Sequence, residues 1–158
     1  MNNKINQIAI LISQIQNAHN SELTVAQEWM LEHVKDPELK KKVPKLSVVA
    51  YHILDTLSQH QELTGIKIAQ ELGVTRGGIT RAARKMQDEK LIVAVRHEDN
   101  KKNIYYQLTP EGQKIANLHA EMHQELYRQL QEKISTDFTS DELDSIIRFL
   151  SYIKDHVM

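Results

Sequence analysis

The stretch from Thr64 to Leu108 leaves this chain few folds. Thr64 is placed to cap a short helix carrying Ile66, Ala69 and Leu72, and Gly73 to end it in the left-handed conformation that glycine adopts without steric cost. Thr75 caps a second helix running to about Lys90, with Ile79, Ala82, Ala83 and Met86 on one face. Two short helices joined by a tight glycine turn form a helix-turn-helix. Two strand-like runs follow, Leu91 to Arg96 and Ile104 to Leu108, around a polar turn at Asp99 and Asn100. In the second run Ile104, Tyr106 and Leu108 alternate with Tyr105 and Gln107, as a half-buried hairpin strand requires. A hairpin in this position is a wing.

The flanks read as helices. Ile5, Ile8, Ile12 and Ile15 recur at helical spacing, as do Leu23, Ala26, Trp29, Met30 and Val34, so one long or two consecutive amphipathic helices are expected. Asp36-Pro37 and Val43-Pro44 bracket a stretch from Glu38 to Lys42 that reads as a loop, because the residue before a proline is pushed out of the helical region. A helix from Ser47 to His60 should turn Val48, Tyr51, Leu54 and Leu57 inward. Thr109-Pro110-Glu111 starts a long helix reaching Ile134, and Thr139 or Ser140 caps a last one through Leu143, Ile146, Ile147, Leu150 and Ile153. The expected class is mainly α with a small β-hairpin wing. Residues 1–45 form an N-terminal helical dimerisation segment and loop, 46–109 the winged helix-turn-helix lobe, and 110–158 a C-terminal helical dimerisation segment.

A net charge of −1 over 158 residues does not by itself announce a polyanion partner. Its distribution does. Between Thr75 and Lys102 the basic residues Arg76, Arg81, Arg84, Lys85, Lys90, Arg96, Lys101 and Lys102 outnumber Asp88, Glu89, Glu98 and Asp99, whereas the segment beyond is acidic. On the second helix, steps of about four residues put Arg76, Thr80 and Arg84 on one stripe and Gly77, Arg81 and Lys85 beside it, away from Ile79 and Met86. Arginine can hold guanine through two parallel hydrogen bonds, threonine can meet a base or a thymine methyl, and glycine lets the backbone come close. Thr75, at the start of this helix, joins the DNA-facing set, and Lys101 and Lys102 in the wing meet a phosphate or the minor groove. Double-stranded operator DNA is the expected partner.

The absence of cysteine removes disulfides, thiolate zinc sites and cysteine redox sensing, so a metal would have to be held by nitrogen and oxygen. The most apolar N-terminal stretch, Ile8 to Ile15, is short, interrupted by Ser13 and Gln14, and followed by no small-residue cleavage site; a cytoplasmic protein with no membrane association is expected. The apolar residues Ile5, Ile8, Ile12, Ile146, Leu150 and Ile153 exceed what one small lobe covers, which predicts a homodimer.

The run Ile68-Ala69-Gln70-Glu71-Leu72-Gly73-Val74-Thr75, followed by Ile79-Thr80-Arg81, Leu91-Ile92 and Tyr106-Gln107-Leu108-Thr109-Pro110-Glu111-Gly112, resembles the MarR family of bacterial regulators from roughly Leu46 to the C-terminus. The resemblance implies a triangular dimer, built by the N-terminal and last two helices, with two winged lobes on a pseudo-palindromic operator. The family's wing usually carries Asp-x-Arg; here Asp99-Asn100-Lys101 or Asn100-Lys101-Lys102 takes its place.

His119 and His123 lie four apart on the long helix after the wing, so both rings can reach one metal. In His119-Ala120-Glu121-Met122-His123 the glutamate does not follow the first histidine, so the zinc-protease pattern is missing and no catalytic residue is assigned. The pair has the same offset from Tyr106-Gln107-Leu108-Thr109 as the metal-binding histidines of the zinc-uptake repressors within the MarR family. That resemblance implies that His52 joins them and that a fourth ligand, commonly a glutamate of the first helix in that branch, completes the site; here His33 is nearest, with Glu32 or Glu28 as substitutes. It also implies that the branch's second site is missing, since there is no cysteine and Tyr51 and Leu118 stand where its acids would be. The sequence thus supports a repressor controlled by zinc or another divalent metal. The alternative is a MarR-type repressor released by a small aromatic or amphipathic ligand in a crevice lined by Tyr51, Trp29 and Met30.

Overall fold

The computed structural model describes residues 2–18, 25–98 and 100–157; Asp99, expected in the wing turn, and Leu23, expected in a helical run, lie outside them. Among the described residues, eight α-helices and three strands run in the order α1 (Asn2–Ala18), α2 (Val25–His33), α3 (Pro37–Lys42), α4 (Val48–Ser58), β1 (Leu63–Thr64), α5 (Gly65–Leu72), α6 (Arg76–Asp88), β2 (Ile92–His97), β3 (Asn100–Leu108), α7 (Pro110–Asp137) and α8 (Ser140–Val157), with a 3-10 turn at Val43–Lys45. The chain divides into two compact units, Met1–Met122 and His123–Met158. The division falls inside the continuous helix α7.

Within the first unit, local capping fixes the helix-turn-helix. The Thr64 hydroxyl accepts from the Lys67 amide and the Thr75 hydroxyl from the Gly78 amide, each meeting one of the amides that a helix start leaves without an intrahelical partner. Gly73, at φ 63°, ends α5, and the Val74 amide bonds back to the Ala69 carbonyl. α6 ends the same way without a glycine: Lys90 takes φ 59°, and the Leu91 amide returns to the Met86 carbonyl. The wing is a three-stranded antiparallel sheet ordered β1-β3-β2, with Leu63 opposite Tyr106 and Ile92 opposite Leu108. A register shift falls between Val95 and His97.

The core of this unit gathers Met30, Val43, Ile53, Leu54, Leu57, Ile68, Ile79, Met86, Leu91, Ile92, Ile115 and Met122, all under 2% exposed. Two buried polar side chains stitch its edges. Gln27 donates to the Leu46 carbonyl at 3.1 Å, and the Tyr51 hydroxyl donates to the Val43 carbonyl at 2.7 Å. Burial pushes the Tyr51 phenol far above its ordinary range, so it stays a neutral donor at any physiological pH.

Three expectations are corrected. The stretch Glu38 to Lys42 is not a loop but helix α3: Asp36 caps it by accepting from the Glu38 amide, and Pro37 occupies its first turn, where a proline costs no hydrogen bond. Val48 and Ile66 do not face the core; both are exposed, and Ile53 and Ile68 fill the interior instead. β1 adds a third strand to what reads as a hairpin. In the second unit, the Thr139 backbone amide and hydroxyl both donate to the Glu142 carboxylate, a capping box that starts α8. None of the described helices is long and apolar enough to cross a membrane.

Candidate nucleic-acid interface and metal centre

α6 buries Ile79, Ala83 and Met86, which fixes its rotation and turns the opposite face outward. On that face Thr75, Arg76, Gly77, Thr80, Arg81, Arg84 and Lys85 are all exposed. The Thr80 hydroxyl donates to the Arg76 carbonyl at 3.0 Å, which commits its hydrogen and leaves its methyl and lone pairs facing out. A Cβ built at Gly77 meets nothing within 4 Å, so the backbone there is open to close approach. In the wing Lys102 is exposed; the side chain of Lys101 lies outside the described part of the structure.

The wing is braced from behind. Glu62, just before β1, accepts from Gln107 Nε2 of β3 at 2.8 Å and from His97 Nε2 of β2 at 2.6 Å. These bonds, from Gln107 and then His97, hold its carboxyl below the usual glutamate range. The His97 ring also meets Tyr105 edge to face at 4.8 Å.

His119 is 5% exposed. Its Nδ1 lies 2.8 Å from Asp55 Oδ2, a carboxylate brought in from α4, 64 residues away. The ring stacks on Tyr51 at 4.9 Å and meets the His52 ring edge-on at 6.2 Å. One ligand atom each of Asp55, His119 and His123 lie within 4.8 Å of one another. Of the four histidines expected to bind metal, His119 and His123 thus fall into this group and His52 lies beside it. His33 is held elsewhere: its ring stacks on Trp29 at 3.8 Å, its Nδ1 donates to the Trp29 carbonyl at 2.8 Å, and it lines an open groove with Asp36, Lys114, Leu118 and Glu121. Glu28 and Glu32 are exposed on α2. Asp55 is the residue that sequence reasoning missed. Its signal was the His52-x-x-Asp55 spacing, which puts both on one face of α4.

A three-stranded wing following two capped helices defines a winged helix-turn-helix protein. Residues 46–104 match the MarR family model. The chain is 31% identical over 100 residues to the transcriptional regulator AdcR of Streptococcus pneumoniae, covering 63% of this chain and 67% of that one. It is 25% identical over 112 residues to the regulator PchR of Bacillus subtilis, covering 71% of this chain and 65% of that one. The matched region thus spans about two thirds of the length of these curated relatives. A crystal structure of the zinc-responsive MarR family member ZitR of Lactococcus lactis superposes with a TM-score of 0.74 at 25% identity, covering 99% of each chain, and a variant of ZitR in complex with DNA superposes with 0.73. The chain belongs to the MarR family. Its relatives are transcriptional regulators, not enzymes, in line with the expectation that the histidines do no hydrolysis.

Proposed function

We propose that the protein is a cytoplasmic, homodimeric transcription repressor that binds double-stranded operator DNA through α6 and the wing, with an affinity set by zinc. The observation that carries this reading is the pairing, in one unit, of an outward arginine face on α6 with a buried, carboxylate-held histidine on α7. Thr75, Arg76, Gly77, Thr80, Arg81, Arg84 and Lys85 form the groove-reading set, and Lys101 and Lys102 supply charge to the backbone.

The donor set fits zinc. Imidazole nitrogens are ordinary ligands of this ion, and His119, grouped with His123 and beside His52, is already oriented by its hydrogen bond to Asp55. His52, His119 and His123 would hold the metal, and a ligand from α2 would complete it, Glu32 or Glu28, or His33 once its ring leaves the stack on Trp29. A bound divalent ion supplies an electrostatic cross-link between α4 and α7, and α4 packs against α6. An arrangement that favours DNA binding is then stabilised by the metal, a coupling between two distinct sites. The small-ligand alternative has less behind it: of the three residues expected to line its crevice, Tyr51 and Met30 are buried in the core and Trp29 is half-buried.

The test is operator affinity in chelator and in micromolar zinc. Tightening by zinc that is lost in His119→Ala and His123→Ala, with dimer and metal-free DNA binding intact, is the expected result. Equal affinity in the two conditions would overturn the zinc reading.

A further inference from the structure

Asp55 is not one of the residues that the zinc reading needs as a ligand, yet its carboxylate stands within hydrogen-bond distance of the buried histidine of that site. Its Oδ2 lies 2.8 Å from His119 Nδ1, the distance of a charge-assisted hydrogen bond. Both groups belong to the first unit, and both are poorly exposed, the Asp55 side chain at 28% and His119 at 6%. Tyr51, one turn before Asp55 on α4, lies nearly parallel to the imidazole at an interplanar angle of 13°. The ring is thus fixed in two ways, by a stacked face and by a bonded edge, and both restraints come from α4.

We propose that Asp55 is a positioning residue for metal binding: by accepting the Nδ1 proton of His119 it fixes the tautomer whose lone pair sits on Nε2, and it couples that histidine to α4. The inference rests on the zinc reading above and deepens it.

Three physical arguments support it. In a neutral imidazole one nitrogen carries the proton and the other the lone pair, and the hydrogen bond made at one nitrogen decides which is which. A carboxylate accepts and cannot donate, so the proton belongs at Nδ1 and metal ligation at Nε2. Carboxylates behind metal-ligating histidines also raise the basicity of the ligand, and their loss typically costs about 10–100-fold in metal affinity. The coupling follows from the same bond. A cation at Nε2 withdraws electron density from the ring and makes the Nδ1 proton more acidic, which strengthens its bond to Asp55. Metal binding on α7 thereby tightens the attachment of α7 to α4, the helix that packs on α6.

The alternative role for Asp55 is direct ligation. The 2.8 Å separation argues against it. Two ligands of a tetrahedral ion at about 2.0–2.1 Å stand more than 3 Å apart, and neighbouring ligand atoms on one ion share no proton.

The test uses the full-length protein as Asp55→Asn and Asp55→Ala beside the parent, with thermal unfolding of the metal-free forms to show that each variant folds. Imidazole nitrogen NMR shifts of the metal-free proteins give the tautomer, a chelator competition gives zinc affinity, and the visible bands of the cobalt-substituted protein report the coordination shell. The expected result is an Nδ1–H tautomer at His119 in the parent that is lost in Asp55→Ala. Zinc affinity should fall about 10–100-fold in Asp55→Ala and less in Asp55→Asn, whose amide oxygen still accepts the bond, and the cobalt bands should be unchanged at saturation. A change in the cobalt bands of Asp55→Ala would make Asp55 a ligand and overturn the positioning role. An unchanged tautomer or unchanged zinc affinity would overturn it as well. A parent protein that takes up no zinc while holding the Nδ1–H tautomer would instead sink the zinc reading and reduce the Asp55 contact to a structural hydrogen bond.

Discussion

The carbonyl of Leu91, at the start of the wing, lies against Gly112, in the first turn of α7, so closely that a Cβ built at Gly112 comes within 2.0 Å of its oxygen. The same carbonyl accepts from the Thr109 amide at 3.0 Å, so it cannot swing away without breaking the junction between wing and helix. Gly112→Ala is therefore expected to destabilise the fold by about 2–3 kcal/mol through forced backbone displacement. Gly77→Ala, where the added methyl meets nothing within 4 Å, should instead gain up to about 1 kcal/mol from a stiffer unfolded chain. Urea unfolding of the two variants separates these outcomes, and a Gly112→Ala protein as stable as the parent would show that the close approach is not required.

Lys42 is expected to matter more than its basic neighbour. Its Nζ donates to the Glu89 carbonyl at 2.8 Å and pairs with the Glu111 carboxylate, which ties α3 both to the C-terminal end of α6 and to the start of α7. Its side chain is only 14% exposed. Lys42→Ala leaves these acceptors short of a partner and should cost about 1–3 kcal/mol. Lys41, 68% exposed in its pair with Glu38, should cost no more than about 0.5 kcal/mol as alanine. Equal losses for the two variants would show that the Lys42 junction contributes nothing beyond a surface pair.

What the sequence made legible was what local chemistry decides. Thr64, Gly73, Thr75 and Thr109 carry their caps and turns within four residues of themselves, and each takes the expected role in the structure. The features that were missed depend on partners far along the chain. β1 is two residues long and is a strand only because Tyr106 and Tyr105 pair with it. Asp55 becomes part of the candidate site only when α7 brings His119 to it. Ile66 and Val48 fit the helical periodicity of a core face, yet the neighbouring elements cover Ile68 and Ile53. Pro37 misled because proline was weighed as a breaker, whereas Asp36 before it makes the pair a helix start.

Acidification should loosen the wing through Glu62. Its carboxyl is held below the ordinary value of 4.5 by the bonds from Gln107 and His97, so the ionised form favours the folded state. A carboxylate whose value is lowered on folding contributes fully above its unfolded value, and that contribution is lost as the pH falls through the folded one. Protection of the β3 amides from hydrogen exchange should therefore drop in the parent as the pH goes below the glutamate range. Glu62→Gln should lack this component, and a variant with the parent's pH profile would count against the brace.

Arg81 and Lys102 should differ in kind, not only in degree. If α6 reads bases, Arg81→Ala weakens binding to a selected operator by about 1–3 kcal/mol and relaxes the preferred sequence, as does Arg76→Ala. Lys102→Ala should weaken all sequences alike and lower the salt dependence by about one unit of slope, because one phosphate contact releases about one counterion. Binding titrations over a range of salt, on operator and on scrambled duplex, make the comparison. An Arg81→Ala protein that keeps both affinity and selectivity would remove α6 from the recognition role.

Self-association should depend on α8. This helix places Ile147 and Leu150 at 61% and 52% exposed, and Ile146 and Tyr152 are exposed with them, too much apolar surface for a helix that faces only water. α1 repeats the pattern with Ile5, Ile10, Leu11 and Ile15. A twofold axis that brings identical faces together buries each of them twice, which is the economical way for such surfaces to leave water. Sedimentation of the parent at micromolar concentration should thus give a dimer. Leu150→Asp puts a charge into that contact at an exposed residue of the second unit, so the winged lobe should keep its own unfolding transition while the dimer dissociates. A parent that sediments as a monomer, or a Leu150→Asp protein whose dimer persists on dilution as the parent's does, would mean that the exposed face of α8 is not where two copies meet.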